Sequence, residues 1–138
     1  MAFLRKHQIP TPAALVEEKF NILIVEDEPD TVKIIESYLN RQNTYEVSSA
    51  SDGITALIEV GRNRPNLMIL DIMIPGVDGI EVCRRIKQDA SNRTAIIAIS
   101  GEATVEKRII QAGADVFLPK PLDLNRLVSE TKRLLSIL

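Results

Sequence analysis

Five residues of this chain stand where the ends of short apolar runs would place them side by side: Glu26, Asp27, Asp71, Ser100 and Lys120. Residues 21–25 (NILIV) end at Glu26 and Asp27, and residues 67–70 (LMIL) end at Asp71. Residues 95–99 (AIIAI) end at Ser100, and residues 116–118 (VFL) lead through Pro119 to Lys120 and Pro121. Three carboxylates brought together repel, and loss of solvent raises the cost. A bound cation relieves both penalties. Carboxylates and water suit a hard ion such as Mg²⁺, which keeps part of its hydration and shares phosphate oxygens with a protein site. One carboxylate of such a group can attack a phosphoryl group as a nucleophile. A lysine then supplies positive charge to the transferred group, and a hydroxyl supplies a hydrogen bond.

Each residue alone has an ordinary role. Asp27 or Glu28 can cap a following helix, because acids favour helix N-termini. Asp71 can be a turn residue ahead of Pro75-Gly76, Ser100 can cap a helix, and Lys120 can be a solvated surface lysine. Four independent coincidences at one edge make a poorer account than one shared site.

The elements that must position these groups follow from periodicity. Each run is apolar on both faces, as a buried parallel strand requires. Residues 45–47 (YEV) form a weaker strand candidate. Between the strands lie helical stretches: Val32, Ile35, Tyr38 and Leu39, with Ile34 widening the stripe, and then Ile54, Leu57, Ile58 and Val60. The later helices carry Ile80, Val82, Cys83 and Ile86; Val105, Ile109 and Ile110; and Leu124, Leu127, Val128, Leu134 and Leu135. Five strands alternating with five helices predict an α/β fold with a doubly wound parallel sheet. In such a sheet the functional crevice lies at the carboxyl ends of the strands, where the five residues fall. Residues 1–19 read as a tail broken by Pro10 and Pro12, with AALVEEK as a short helix, and residues 20–138 as one domain. The last helix reaches the end of the chain, so no second domain is expected after it.

A chain of 138 residues that is 45% hydrophobic suffices for one core. A net charge of -2 predicts no general attraction for nucleic acid or anionic membrane. No apolar run is long enough to span a bilayer, and the N-terminus lacks a secretory core. One cysteine forms no intramolecular disulfide, and one histidine builds no His-rich metal site. A cytoplasmic protein is expected.

Taken in order, LIVEDEP, LMILDIMIPGVDG, IIAISGEA and GADVFLPKP closely resemble the receiver domain of bacterial response regulators, over residues 20–138. The resemblance implies a flavodoxin-like (βα)5 fold with strand order 2-1-3-4-5. It implies that Asp71 is the phosphoacceptor and that Asp27 binds Mg²⁺ directly while Glu26 acts largely through water. Met73 stands where the family uses a backbone carbonyl as a metal ligand. Ser100 matches the switch hydroxyl, Lys120 the lysine that pairs with phosphoryl oxygens, and Phe117 the aromatic switch residue that moves between outward and buried rotamers. The Lys120-Pro121 bond is expected to be cis. The implied partners are a sensor histidine kinase or phosphotransfer protein and a downstream protein target. The output surface would be that of the fourth helix, fifth strand and fifth helix, and a homodimer paired through it fits the family. Departures are mild: Glu26 for a frequent Asp, Ser100 and Gly101 for the commoner Thr and Ala, and Phe117 for a frequent Tyr.

Other functions fit less well. A phosphatase with an aspartate nucleophile usually carries a second acid two residues on, where this chain has Met73. A flavodoxin-like cofactor carrier needs a Ser/Thr/Gly-rich phosphate loop where EDEPD stands, and no Walker or dinucleotide-binding glycine motif is present. A receiver-like module that is never phosphorylated would not need all five site residues. His7 lacks a phosphotransfer setting, Cys83 reads as core, and Gly76 and Gly79 as backbone geometry. Arg84, Arg85, Lys107 and Arg108 read as solvated helix faces.

Overall fold

The computed structural model describes residues 19–41 and 45–137. The tail, its short-helix segment and His7 therefore lie outside the described residues, except for Lys19. Five strands run β1 (Asn21–Val25), β2 (Glu46–Ala50), β3 (Leu67–Asp71), β4 (Ala95–Ser100) and β5 (Val116–Pro119). They pair in parallel in the order β2-β1-β3-β4-β5, as expected. The helices are α1 (Pro29–Leu39), α2 (Gly53–Asn63), α3 (Gly79–Gln88), α4 (Glu106–Gln111) and α5 (Leu124–Ser136), with a 3₁₀ turn over Ala103–Val105 entering α4.

Strand alternation sorts the core into two layers. Leu23 and Val25 join Met68, Leu70, Ile96, Ala98 and Phe117 under α2, α3 and α4. Ile22 and Ile24 join Leu67, Ile69, Ile97, Val116 and Leu118 under α1 and α5. Both faces of β1, β3 and β4 are thus dry, which is why their sequences carry no polar alternation.

Several boundaries and faces differ from the sequence reading. β3 takes in Asp71, β4 takes in Ser100, and β5 takes in Pro119, so the strands deliver these groups from their last residues. β2 is Glu46–Ala50 rather than residues 45–47, because its extent is set by pairing with β1 from Asn21↔Glu46 to Val25↔Ala50. α2 is rolled relative to expectation: Val60 is buried and Leu57 packs against the core as expected, but Gly53 and Ala56 are buried beside them, whereas Ile54 and Ile58 are 56% and 52% exposed. The cause is close packing at Gly53, where a Cβ would sit 2.2 Å from the carbonyl oxygen of Val77. Ile34 and Ile110 are likewise exposed rather than core. Cys83 is fully buried, Arg84 and Arg85 pair with Glu81 on the outside of α3, and Lys107 and Arg108 are exposed.

Candidate functional site

Asp71 ends β3 between β1 and β4, and is 3% exposed. Two buried isoleucines, Ile72 and Ile74, pin the following loop to the core while Met73 between them points outward. The Met73 N–H donates to Asp71 Oδ1 at 2.9 Å, which fixes one carboxylate oxygen. Loop closure needs glycine twice. Gly76 has φ +80°, and a Cβ on Gly79 would lie 2.6 Å from Ile72 Cα. Asp78 then caps α3 by accepting the Glu81 N–H at 3.0 Å.

The other groups arrive from the neighbouring strands. Glu26 follows β1 and is buried; its Oε2 accepts the Glu28 N–H at 3.1 Å. Asp27 is exposed beside it. Oxygens of Glu26, Asp27 and Asp71 all lie within 4.8 Å of one another. Lys120 follows β5, and its Nζ donates to Asp71 Oδ2 at 2.7 Å and lies 3.9 Å from Glu26 Oε1. The Lys120-Pro121 bond is cis. Ser100 is fully buried at the end of β4, and its Oγ accepts the Glu102 N–H at 3.0 Å. Phe117 is 8% exposed, with its ring in the same layer as Val105 and Ile109 at the start of α4. The capping alternative fares poorly at β1: Glu28 precedes α1 without any side-chain cap, and Pro29 fills the first turn.

Charge burial shapes the site. Desolvation, joined by the adjacent Asp71 and Asp27, pushes the Glu26 carboxyl up to about 7 despite the Glu28 N–H that favours its charged form. Burial pulls the Lys120 ammonium down, but the hydrogen bond and charge of Asp71 outweigh it and hold the lysine above its ordinary value. Three oxygen donors facing one point, one of them costly to ionise, suit a hard divalent cation.

Sequence reasoning missed the groups that orient these side chains. The Glu28 and Glu102 N–H donors are main-chain atoms with no side-chain signature. The Ile72-Met73-Ile74 alternation was visible as an in-out-in pattern and predicts a pinned loop.

Residues 22–132 match the family model described as the response regulator receiver domain. The chain belongs to the response regulator receiver family. The receiver is 41% identical over 108 residues to the response regulator PleD of Caulobacter vibrioides, a match over 74% of this chain and 23% of that protein. It is 39% identical over 95 residues to the response regulator MprA of Mycobacterium leprae, over 67% of this chain and 41% of that protein. The chain thus spans less than half the length of these curated relatives. Solved receivers share the fold. The signal receiver domain of a DNA-binding response regulator from Colwellia psychrerythraea has TM-score 0.79 and 27% identity, covering 86% of this chain and 99% of that one. The signal receiver domain of a signal transduction histidine kinase from Syntrophus aciditrophicus has TM-score 0.77 and 32% identity, covering 85% and 90%. As a response regulator receiver, this domain serves phosphorylation-dependent signalling. No helix among the described residues is long and apolar enough to cross a membrane.

Proposed function

We propose that the domain, residues 20–138, is a cytoplasmic switch that accepts a phosphoryl group on Asp71 from a histidine kinase, a phosphotransfer protein or a small phosphodonor. The observation that carries this is the contact of Asp71 Oδ2 with Lys120 Nζ at 2.7 Å, within a cluster of three carboxylates. A buried carboxylate in that setting is a nucleophile with its counter-charge already placed.

In this reading a carboxylate oxygen of Asp71 attacks phosphorus. The new O–P bond replaces the P–N bond of phosphohistidine, and the departing imidazole takes a proton from solvent. Lys120 moves from the carboxylate to the phosphoryl oxygens, whose charge it then balances. The Ser100 hydroxyl exchanges its bond with the Glu102 N–H for donation to a phosphoryl oxygen. Asp27, Asp71 and, through water, Glu26 would hold Mg²⁺, together with the backbone carbonyl of Met73. Bound there, the ion offsets the charge that builds on the transferring group. The side chain of Met73 is 61% exposed and needs no part in this.

The signal leaves through the surface of α4, β5 and α5, where a downstream protein or a second copy of the domain reads it. Hydrolysis of the acyl phosphate at the same site ends the signal. Incubation with acetyl phosphate and Mg²⁺ is expected to give the wild-type chain one acid-stable, base-labile phosphate. Asp71→Asn is expected to take up none, and undiminished labelling of that variant would overturn the assignment.

A further inference from the structure

A cleft of about 410 Å³ lies at the opposite end of the sheet, where the chain enters β3 and β4 and α5 ends. A five-residue strand separates it from Asp71, roughly 17 Å at the usual rise per residue. Arg64 and Arg93 line it, and neither guanidinium has a carboxylate within ion-pair distance among the described residues. Asp89 is near enough for Arg64 to lower its pKa, but that shift comes first from hydrogen bonds given by Ser91.

The cleft's amide groups are oriented by the main chain. Asn66 Oδ1 accepts the Asn21 N–H at 2.8 Å, and Asn92 Oδ1 accepts the Thr94 N–H at 2.7 Å. These bonds settle which amide atom is oxygen. Both Nδ2 groups remain as donors without a partner among the described residues. The Thr94 hydroxyl is already spent on the Pro65 carbonyl at 2.7 Å. The lining therefore offers two guanidinium forks and two amide donors, with its side-chain amide acceptors engaged.

Arg64 adds a backbone observation. It is the non-glycine residue with positive φ among the described residues, at +45°, and it closes α2 where glycine is the easy choice. Pro65 disfavours an α-helical backbone at residue 64 but does not call for an arginine there. Backbone strain at a non-glycine residue points to a use for its side chain.

We propose that this cleft binds a small phosphomonoester through Arg64, Arg93 and the amide donors of Asn66 and Asn92. A donor-rich lining suits an acceptor-only group, and guanidinium forks match phosphate oxygens in pairs. The volume exceeds the need of a bare ion and falls in the range of small-molecule sites, with the buried Pro65 as an apolar wall. The site is independent of the phosphorylation chemistry above.

Nitrogen-15 NMR of the full chain, in Mg²⁺-free buffer at fixed ionic strength, tests this with ribose 5-phosphate, inorganic phosphate, ribose and chloride. Saturable shifts are expected in the side-chain amides of Asn66 and Asn92 with ribose 5-phosphate, weaker ones with phosphate, and none with ribose or chloride. Arg64→Gly, which suits the backbone, and Arg93→Gln lie on exposed side chains and leave the fold intact by thermal melt. Each is expected to weaken binding about tenfold, as the loss of a charge-assisted pair would. Equal shifts with chloride, shifts confined to residues around Asp71, or unchanged affinity in the double variant would each overturn the site. Phosphate binding as tightly as the ester would overturn the ester assignment.

Discussion

At the scale of single residues, the chain separates groups poised for chemistry from groups merely enclosed. Asp27 is exposed yet within 4.8 Å of two other carboxylates, a placement with no structural benefit of its own. A divalent cation bound there stabilises the folded state by mass action. Mg²⁺ at a hundredfold excess over its Kd should therefore raise stability by about 2.7 kcal/mol. Asp27→Ala should lose most of that gain while melting normally in EDTA, and thermal melts with and without Mg²⁺ check both. Cys83 is the opposite case. Burial pushes its thiol up to about 11 from 9.0, and the residue is fully enclosed. The thiolate is the reactive form, so at pH 8 only roughly one part in a thousand is available. Native protein should resist iodoacetamide at that pH and react when unfolded in urea. Because the folded pKa lies above the unfolded one, this contribution to stability is complete below pH 9 and is lost as pH rises through 11. Urea melts at pH 8 and pH 10.5 should show a loss on the order of 2 kcal/mol that is absent in Cys83→Ala.

At the scale of elements, what was legible in the sequence is what periodicity alone can decide. β1, β3 and β4 carry apolar residues on both faces, so their burial needed no knowledge of neighbours. The site residues were legible for the same reason, since a dry strand ends where its first polar group appears. α2 was not legible. Its sequence GITALIEVGRN holds two sets at helical spacing that share Leu57 and Val60: one adds Ile54 and Ile58, the other Gly53 and Ala56. The larger residues point to the first set as the core face. The structure takes the second, because Gly53 must fit beneath Val77 in the loop after β3, a contact between distant parts of the chain. β2 was misplaced for a related reason: as an edge strand with Ser48 and Ser49 exposed, it owes its extent to its partner rather than to its own pattern. The roll of α2 is testable. Ile58→Glu should change stability by no more than about 0.5 kcal/mol, as surface substitutions do. Ala56→Glu, at a fully buried position, should cost more than about 3 kcal/mol or prevent folding. A reversed order in chemical denaturation would restore the first set as the core.

At the scale of the whole molecule, a charge added at Asp71, as proposed, would have to be felt at a distance. Ser100 and Phe117 stand on adjacent strands, with Ser100 paired to Pro119 and Ala98 to Phe117. The Phe117 ring shares its layer with Val105 and Ile109, which anchor α4, a helix of six residues with no side-chain cap. That short helix has little of its own to hold it, so its position depends on this packing. In the proposed mechanism, drawing the Ser100 hydroxyl from the Glu102 N–H toward a phosphoryl oxygen would release the segment that leads into α4. A hydrogen bond to a charged group nets roughly 1.5–3 kcal/mol, enough to shift a two-state population by about one to two decades. It is too little to rebuild a sheet whose interior is already dry on both faces. On the proposed function, the switch would be an equilibrium that exists before phosphorylation and is biased by it. With Mg²⁺ and beryllofluoride as phosphoryl mimic, amide exchange is expected to change around Asp71 and across residues 104–121, while β1 and β3 stay protected. Ser100→Ala should keep the changes near Asp71 and lose those in residues 104–121. If that variant transmits them undiminished, Ser100 is not the link, and α4 must sense the new charge by another route.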